Sequence, residues 1–148
     1  MMGNFNNKPL SNLTKRLIRA GELLVSGENQ KELESYFDTE NFRFHGSGFD
    51  TDYKGLVSFF QAMQDAFAPL TIKRGIIIEQ DDYIACQSFI EGKFVNEFTQ
   101  SPVGTIPPNG ANVVFDLMNI FKFDNQGRLI EEWVRIDNRG LLIQLGVQ

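Results

Sequence analysis

The chain has 148 residues and is 42% hydrophobic, enough to bury a real core, so residues 1–148 read as one domain with a polar tail over residues 1–9. The net charge of −5 comes from acidic residues spread along the chain, which leaves no basic footprint for phosphate backbones and excludes nucleic acid as the expected partner. No apolar run is long enough to cross a bilayer, "MMGNFNNKPL" has no apolar targeting core, and the single Cys86 rules out an intrachain disulfide; a reducing cytoplasm is the expected location, with no membrane partner.

In chain order, Ser11 is placed to cap a helix that carries Leu13, Leu17, Ile18, Leu24 and Val25 on one stripe and ends at Gly27. A short second helix follows near Gln30–Phe37. "NFRFHGSG" alternates Phe42 and Phe44 against Arg43 and His45, which suits a short strand entering a Gly-rich turn. A third helix over about Lys54–Phe67 repeats Leu56, Phe59, Phe60, Met63 and Phe67 at helical spacing, and Pro69 stops it.

The character then turns to β. Residues 70–80 and 82–98 are rich in β-branched and aromatic side chains and are separated by "QDD". Residues 99–111 hold three of the five prolines and read as a loop, the natural lid of a site or a stiff inert connection. Residues 112–123 and 128–137 form a hairpin round "DNQG", and "RGLLIQLG" closes as a short helix. Helices followed by long strands predict an α+β domain with a bent antiparallel sheet. The 14 Phe fill such a core or line a large apolar cavity.

In that order of elements the C-terminal part resembles the SnoaL-like polyketide cyclases of the NTF2-like superfamily. "GLVSFFQAMQDAFAPLTI" is similar to the family's helix and "FPDL" turn, and "EGKFVNEF" followed by "PPNG" to its "GTHxGeF…PPTG". "IFKFDNQGRLIEEWVRIDNRGLLIQLG" is similar to its closing "RFxDGrIxEeWxxxDxxGLLxQLG". The resemblance covers roughly Glu32 to the end. It implies an NTF2-like cone of N-terminal helices packed in a strongly curved antiparallel sheet, a pocket at the mouth, and a homodimer. It also implies cofactor-free ring closure of a polyketide ester by intramolecular aldol condensation, with an acid/base matching Asp137. The family's motif His is replaced by Phe94.

Strict alternation puts Leu129, Glu131, Trp133, Arg135 and Asp137 on one strand face, opposite Phe115, Asn119 and Phe121 if the hairpin has no bulge. Asp137 is the candidate acid/base, its pKa raised by an aromatic setting, with Asn119 and His45 as polar support. The competing reading is an ion pair of Arg135 with Asp137 or Glu131. For His45, the sole histidine, the competing reading is a strand-end residue bonded to backbone. Phe60, Phe94, Phe115, Phe121, Trp133 and Arg135 are the expected pocket lining. One His and scattered carboxylates give no metal-ligand spacing, so no metal is expected, and the resemblance implies that no cofactor is needed. The expected ligand is small and apolar or aromatic. A hydrophobic-ligand-binding module without chemistry is the alternative, and a protein-interaction domain a third class.

Overall fold

The computed structural model describes residues 9–147; the expected tail lies outside them apart from Pro9. Helix α1 (Asn12–Ser26) starts where the Ser11 hydroxyl accepts the Thr14 N–H at 3.0 Å. It ends at Gly27, whose left-handed φ of 76° lets its N–H reach the Leu23 carbonyl. Leu17, Ala20, Leu23 and Val25 are buried on its inner side. Helix α2 (Gln30–Ser35) and strands β1 (Arg43–His45) and β2 (Asp50–Thr51) lead to α3 (Tyr53–Ala66), capped by Asp52 on the Gly55 N–H at 2.9 Å. Leu56, Phe60, Met63 and Ala66 of α3 face the core.

The chain turns extended at Phe67, one residue earlier than the helical spacing predicts, and continues as β3 (Phe67–Gln80). Pro69 therefore lies inside a strand rather than at a helix stop. It is tolerated because β3 is an edge strand and its pairing with β4 shifts register between Ala68 and Thr71. Strands β4 (Tyr83–Phe94), β7 (Asn112–Phe123) and β8 (Leu129–Ile136) complete the long sheet, in the order β2-β1-β8-β7-β4-β3. Pairing is antiparallel except between β1 and β8, which run parallel. The expected strand 82–98 ends at Phe94, and a small hairpin of β5 (Phe98–Ser101) and β6 (Gly104–Ile106) takes up much of the expected loop 99–111. Helix α4 (Asn138–Gln144) closes the chain.

Helices α1 and α3 lie against the concave face of the sheet. At one end Phe67, Phe94, Phe98 and Phe115 close the core, with ring centroids 5.0 Å apart for Phe67–Phe94 and 5.1 Å for Phe67–Phe115. Each such ring contributes about 2 kcal/mol by burial alone, which makes this plug a firm floor.

Candidate active site

Helices α1 and α3 do not fill the concave face, and between them and the sheet lies a cavity of about 860 Å³. Its walls are mostly apolar, with Leu17, Phe60, Ile90, Phe115, Phe121 and Leu141 among the lining residues. The mouth is bordered by the 46–49 segment and by β5 with Pro102.

One row of polar groups crosses this apolar wall. Arg74 on β3 donates from Nη1 to the Ser88 hydroxyl at 2.6 Å. Ser88 on β4 donates onward to Asn119 Oδ1 at 2.7 Å, and Asn119 on β7 donates from Nδ2 to Glu132 Oε2 on β8 at 3.1 Å. The relay fixes the Asn119 amide, since its oxygen must face Ser88 and its nitrogen Glu132. Ser88, Asn119 and Glu132 are all buried. Glu132 lines the cavity, and its Oε1 makes no hydrogen bond among the described residues.

Burial dominates the Glu132 carboxyl and pushes its pKa up to about 7, against the lowering by the Arg74 charge and the Asn119 amide. A carboxylate in apolar surroundings with a value near neutrality can both take and return a proton. That is the arrangement expected of an acid/base and costly for a residue with no other role.

The register of the last hairpin decides which face of β8 looks inward. Lys122 pairs with Glu131 but Phe123 pairs with Leu129, so Ile130 is an extra residue on β8. Leu129 points to the core, and after the bulge Glu132 and Val134 do. The expectation of an unbulged hairpin is thereby corrected: Asn119 pairs with Val134 and Trp133 with Ile120.

The consequences for the predicted site are specific. Asn119, Phe115, Phe121 and Phe60 line the cavity. Phe94 does not; it is fully buried in the plug against Phe67. Trp133 lies on the opposite, outer face and stacks on His45 with ring centroids 5.6 Å apart. Arg135 reaches the cavity rim, is exposed, and donates to the Val134 carbonyl at 2.7 Å, with no ion pair to Asp137 or Glu131 among the described residues. Asp137 is exposed and caps α4, accepting the Gly140 N–H at 2.9 Å. It is not among the cavity-lining residues.

His45 stands outside the cavity as well. Its Nε2 meets Glu131 Oε2 at 2.7 Å and its Nδ1 meets Asp50 Oδ1 at 3.1 Å, so it ties β1 and β2 to β8. The hydrogen bond to Glu131 raises its pKa most; burial pulls it back, and Asp50 raises it further. The bland reading of a backbone-bonded histidine is replaced by one held between two carboxylates.

Arg74, Ser88 and Glu132 were not candidates from the sequence. The available signal for Glu132 is that Ile130, Val134 and Ile136 share its strand face, which is more apolar than the face of Glu131, Trp133 and Arg135. The apolar face belongs inside, and its one Glu is then the anomaly. Among the described residues no group of three or more His, Cys, Asp or Glu could hold a metal ion, and no helix is long and apolar enough to cross a membrane.

Curved sheet, packed helices and a cavity on the concave face define an α+β protein of the NTF2-like, ketosteroid isomerase-like fold. The sequence profile of the family described as "SnoaL-like polyketide cyclase" matches residues 15–145, and the chain belongs to that family. Among solved structures it is similar to IdmH from Streptomyces antibioticus, a candidate polyketide cyclase, at 22% identity and TM-score 0.76, covering 93% of this chain and 100% of that one. TsrD from Streptomyces laurentii is similar at 17% identity and TM-score 0.76, covering 95% and 100%. A Catenulispora acidiphila protein of ketosteroid isomerase-like fold, solved with trimethylamine, is similar at 9% identity and TM-score 0.67, covering 95% and 96%. No curated protein sequence matches the chain.

Proposed function

We propose that this protein performs acid/base chemistry on a small apolar substrate in its cavity, of the kind used to close a polyketide ester ring by intramolecular aldol condensation. The observation that carries the reading is Glu132: a buried carboxyl at about 7, held by Asn119 on one oxygen and open to the cavity on the other. In this reading the acid/base is Glu132 rather than Asp137, whose carboxylate is engaged in capping α4. Asn119 is its polar support, and the Phe-rich walls hold a flat apolar ligand. His45 contributes through the β1–β2 segment it anchors and not by touching substrate.

The family membership supports ring closure as the reaction class, and the cavity supports a small-molecule ligand. The proton balance of a cyclisation needs only a side chain that takes the proton from carbon and returns it to the new alkoxide. A ligand carrier of the same shape would have no use for a buried carboxyl near neutrality, which is why catalysis is favoured over storage.

The second part of the proposal is a homodimer formed through the outer sheet face, in a cytoplasmic setting. Ile78 is 60% exposed and Met118 63% exposed on that face, beside Ile76, Ile120 and Trp133. A second copy is the occupant that the family resemblance implies, and an apolar strip of this kind is what it would cover.

The test uses 5-nitrobenzisoxazole, which opens when a base removes its one acidic C–H and releases a coloured phenolate. The wild-type protein is expected to accelerate the opening, and Glu132→Gln to lower it about 100-fold or more. Asp137→Asn should leave it unchanged. Equal rates for wild type and Glu132→Gln would remove Glu132 as the base.

A further inference from the structure

We propose that Arg74 is the anion-binding residue of the cavity: its guanidinium holds the substrate's carbonyl oxygen as negative charge develops on it. The inference deepens the acid/base reading and rests on it for the enolate, but the anion contact can be measured by itself.

Three observations converge on Arg74. Its side chain lines the cavity, yet its only close hydrogen bond is from Nη1 to Ser88. Its Nε is buried with no partner among the described residues, and its Nη2 makes no hydrogen bond there either. A guanidinium carries five N–H donors, so most of this one's capacity is unspent inside an apolar wall. Arg74 and Glu132 form no ion pair, although the Arg74 charge still acts on that carboxyl; the two are linked by the three-bond relay through Ser88 and Asn119.

The fold also makes room for the group. Gly21 sits in the middle of α1, where glycine is unfavourable for a helix, and a Cβ there would come within 2.5 Å of Arg74 Nη2. A side chain at position 21 would meet the guanidinium where it now lies, and the guanidinium would have to move to accommodate it. On the other side the Arg74 Cζ lies 5.4 Å from the Phe121 ring centroid, over its face. Gly21 is thus a positioning residue for Arg74.

The step this permits balances without any further reactant. Glu132 takes the proton from the carbon next to the carbonyl, and the C–H electron pair becomes the enolate double bond. The carbonyl π pair moves to oxygen, where Arg74 holds the charge. The enolate carbon then attacks a second carbonyl of the same molecule, and Glu132 returns the proton to the alkoxide formed.

Three flat probes test the contact by binding titration, run below the Glu132 value of about 7 so that this carboxyl is neutral. Wild type should bind 2-naphthoate about tenfold or more tighter than naphthalene. It should also shift bound 2-naphthol towards its phenolate, seen in absorbance. Arg74→Met should lose both effects while naphthalene affinity stays the same. Gly21→Ala, which favours the helix and crowds the guanidinium, should weaken both effects and also spare naphthalene, and it decides the matter if Arg74→Met does not fold. Glu132→Gln should keep the naphthoate preference, so a failure of the acid/base reading is seen separately in the benzisoxazole assay. A wild type without the preference, or variants that keep it, would overturn the proposal and leave Arg74 as a tie for Ser88. A naphthoate preference with no ionisation of 2-naphthol would overturn the enolate assignment.

Discussion

Asn119 Nδ2 donates to Glu132 Oε2 at 3.1 Å across β7 and β8, and it is the one protein hydrogen bond that Glu132's side chain makes among the described residues. The amide cannot turn, because its oxygen accepts from Ser88. One carboxylate oxygen is thereby fixed and the other left to the cavity, so the carboxyl proposed as acid/base has a defined direction.

Burial of Glu132 has a consequence for stability. Its folded pKa of about 7 lies above the ordinary 4.5, so the folded state holds the proton more tightly than the unfolded chain. The stability tied to this group is fully present below about 4.5 and is lost as pH rises through about 7. The loss is on the order of 3 kcal/mol, from the size of the shift. Denaturant melts of wild type and Glu132→Gln at about pH 5 and about pH 8 should show the wild type losing stability relative to the variant. A constant difference would contradict the burial of the carboxyl.

Asp137 should behave as a helix cap. Replacing it with Ala removes the acceptor for the Gly140 N–H and is expected to cost about 1 kcal/mol of stability. Asp137→Asn, which retains a capping oxygen, should cost less. Neither should change the opening of 5-nitrobenzisoxazole when corrected for folded fraction.

His45 gives a second pH signature. Its folded pKa is raised, first by the hydrogen bond to Glu131 and then by Asp50, the charged groups on the two elements that flank it. Its contribution is therefore fully present below the ordinary value of 6.5 and lost as pH rises through the folded value. His45→Gln should destabilise more under acidic than under alkaline conditions, read from melts of both proteins. Equal destabilisation at both ends would mean the ring acts only through packing on Trp133.

How much of this was legible in the sequence follows from which constraints are local. The helix start at Ser11 depends on a single side chain reaching a nearby N–H, and such a cap is written in residue type. The long strands and the alternation that turns Phe115, Asn119 and Phe121 inward are local too. The bulge at Ile130 is not local, because it exists only in the pairing of β8 with β7. One inserted residue exchanged the faces, sending Trp133 outward and Glu132 inward. The Arg74–Ser88–Asn119–Glu132 relay draws one residue from each of four strands, and no spacing in one chain segment announces it.

The outer sheet face should govern self-association. Met118→Glu or Ile120→Glu puts a charge into the exposed apolar strip without touching the cavity side. Light scattering after size exclusion should show a dimer for wild type and a monomer for these variants, with the protein still folded. A wild-type monomer, or a dimer indifferent to both changes, would place the contact elsewhere.

The chemistry proposed for the cavity turns on Glu132 being a buried carboxyl that titrates near neutrality. Carbon-13 NMR of glutamate side-chain carboxyls, with Glu132→Gln identifying the resonance, measures it directly. One carboxyl should titrate at about 7 and be absent from the variant. A Glu132 resonance that titrates in the ordinary range near 4.5 would contradict it.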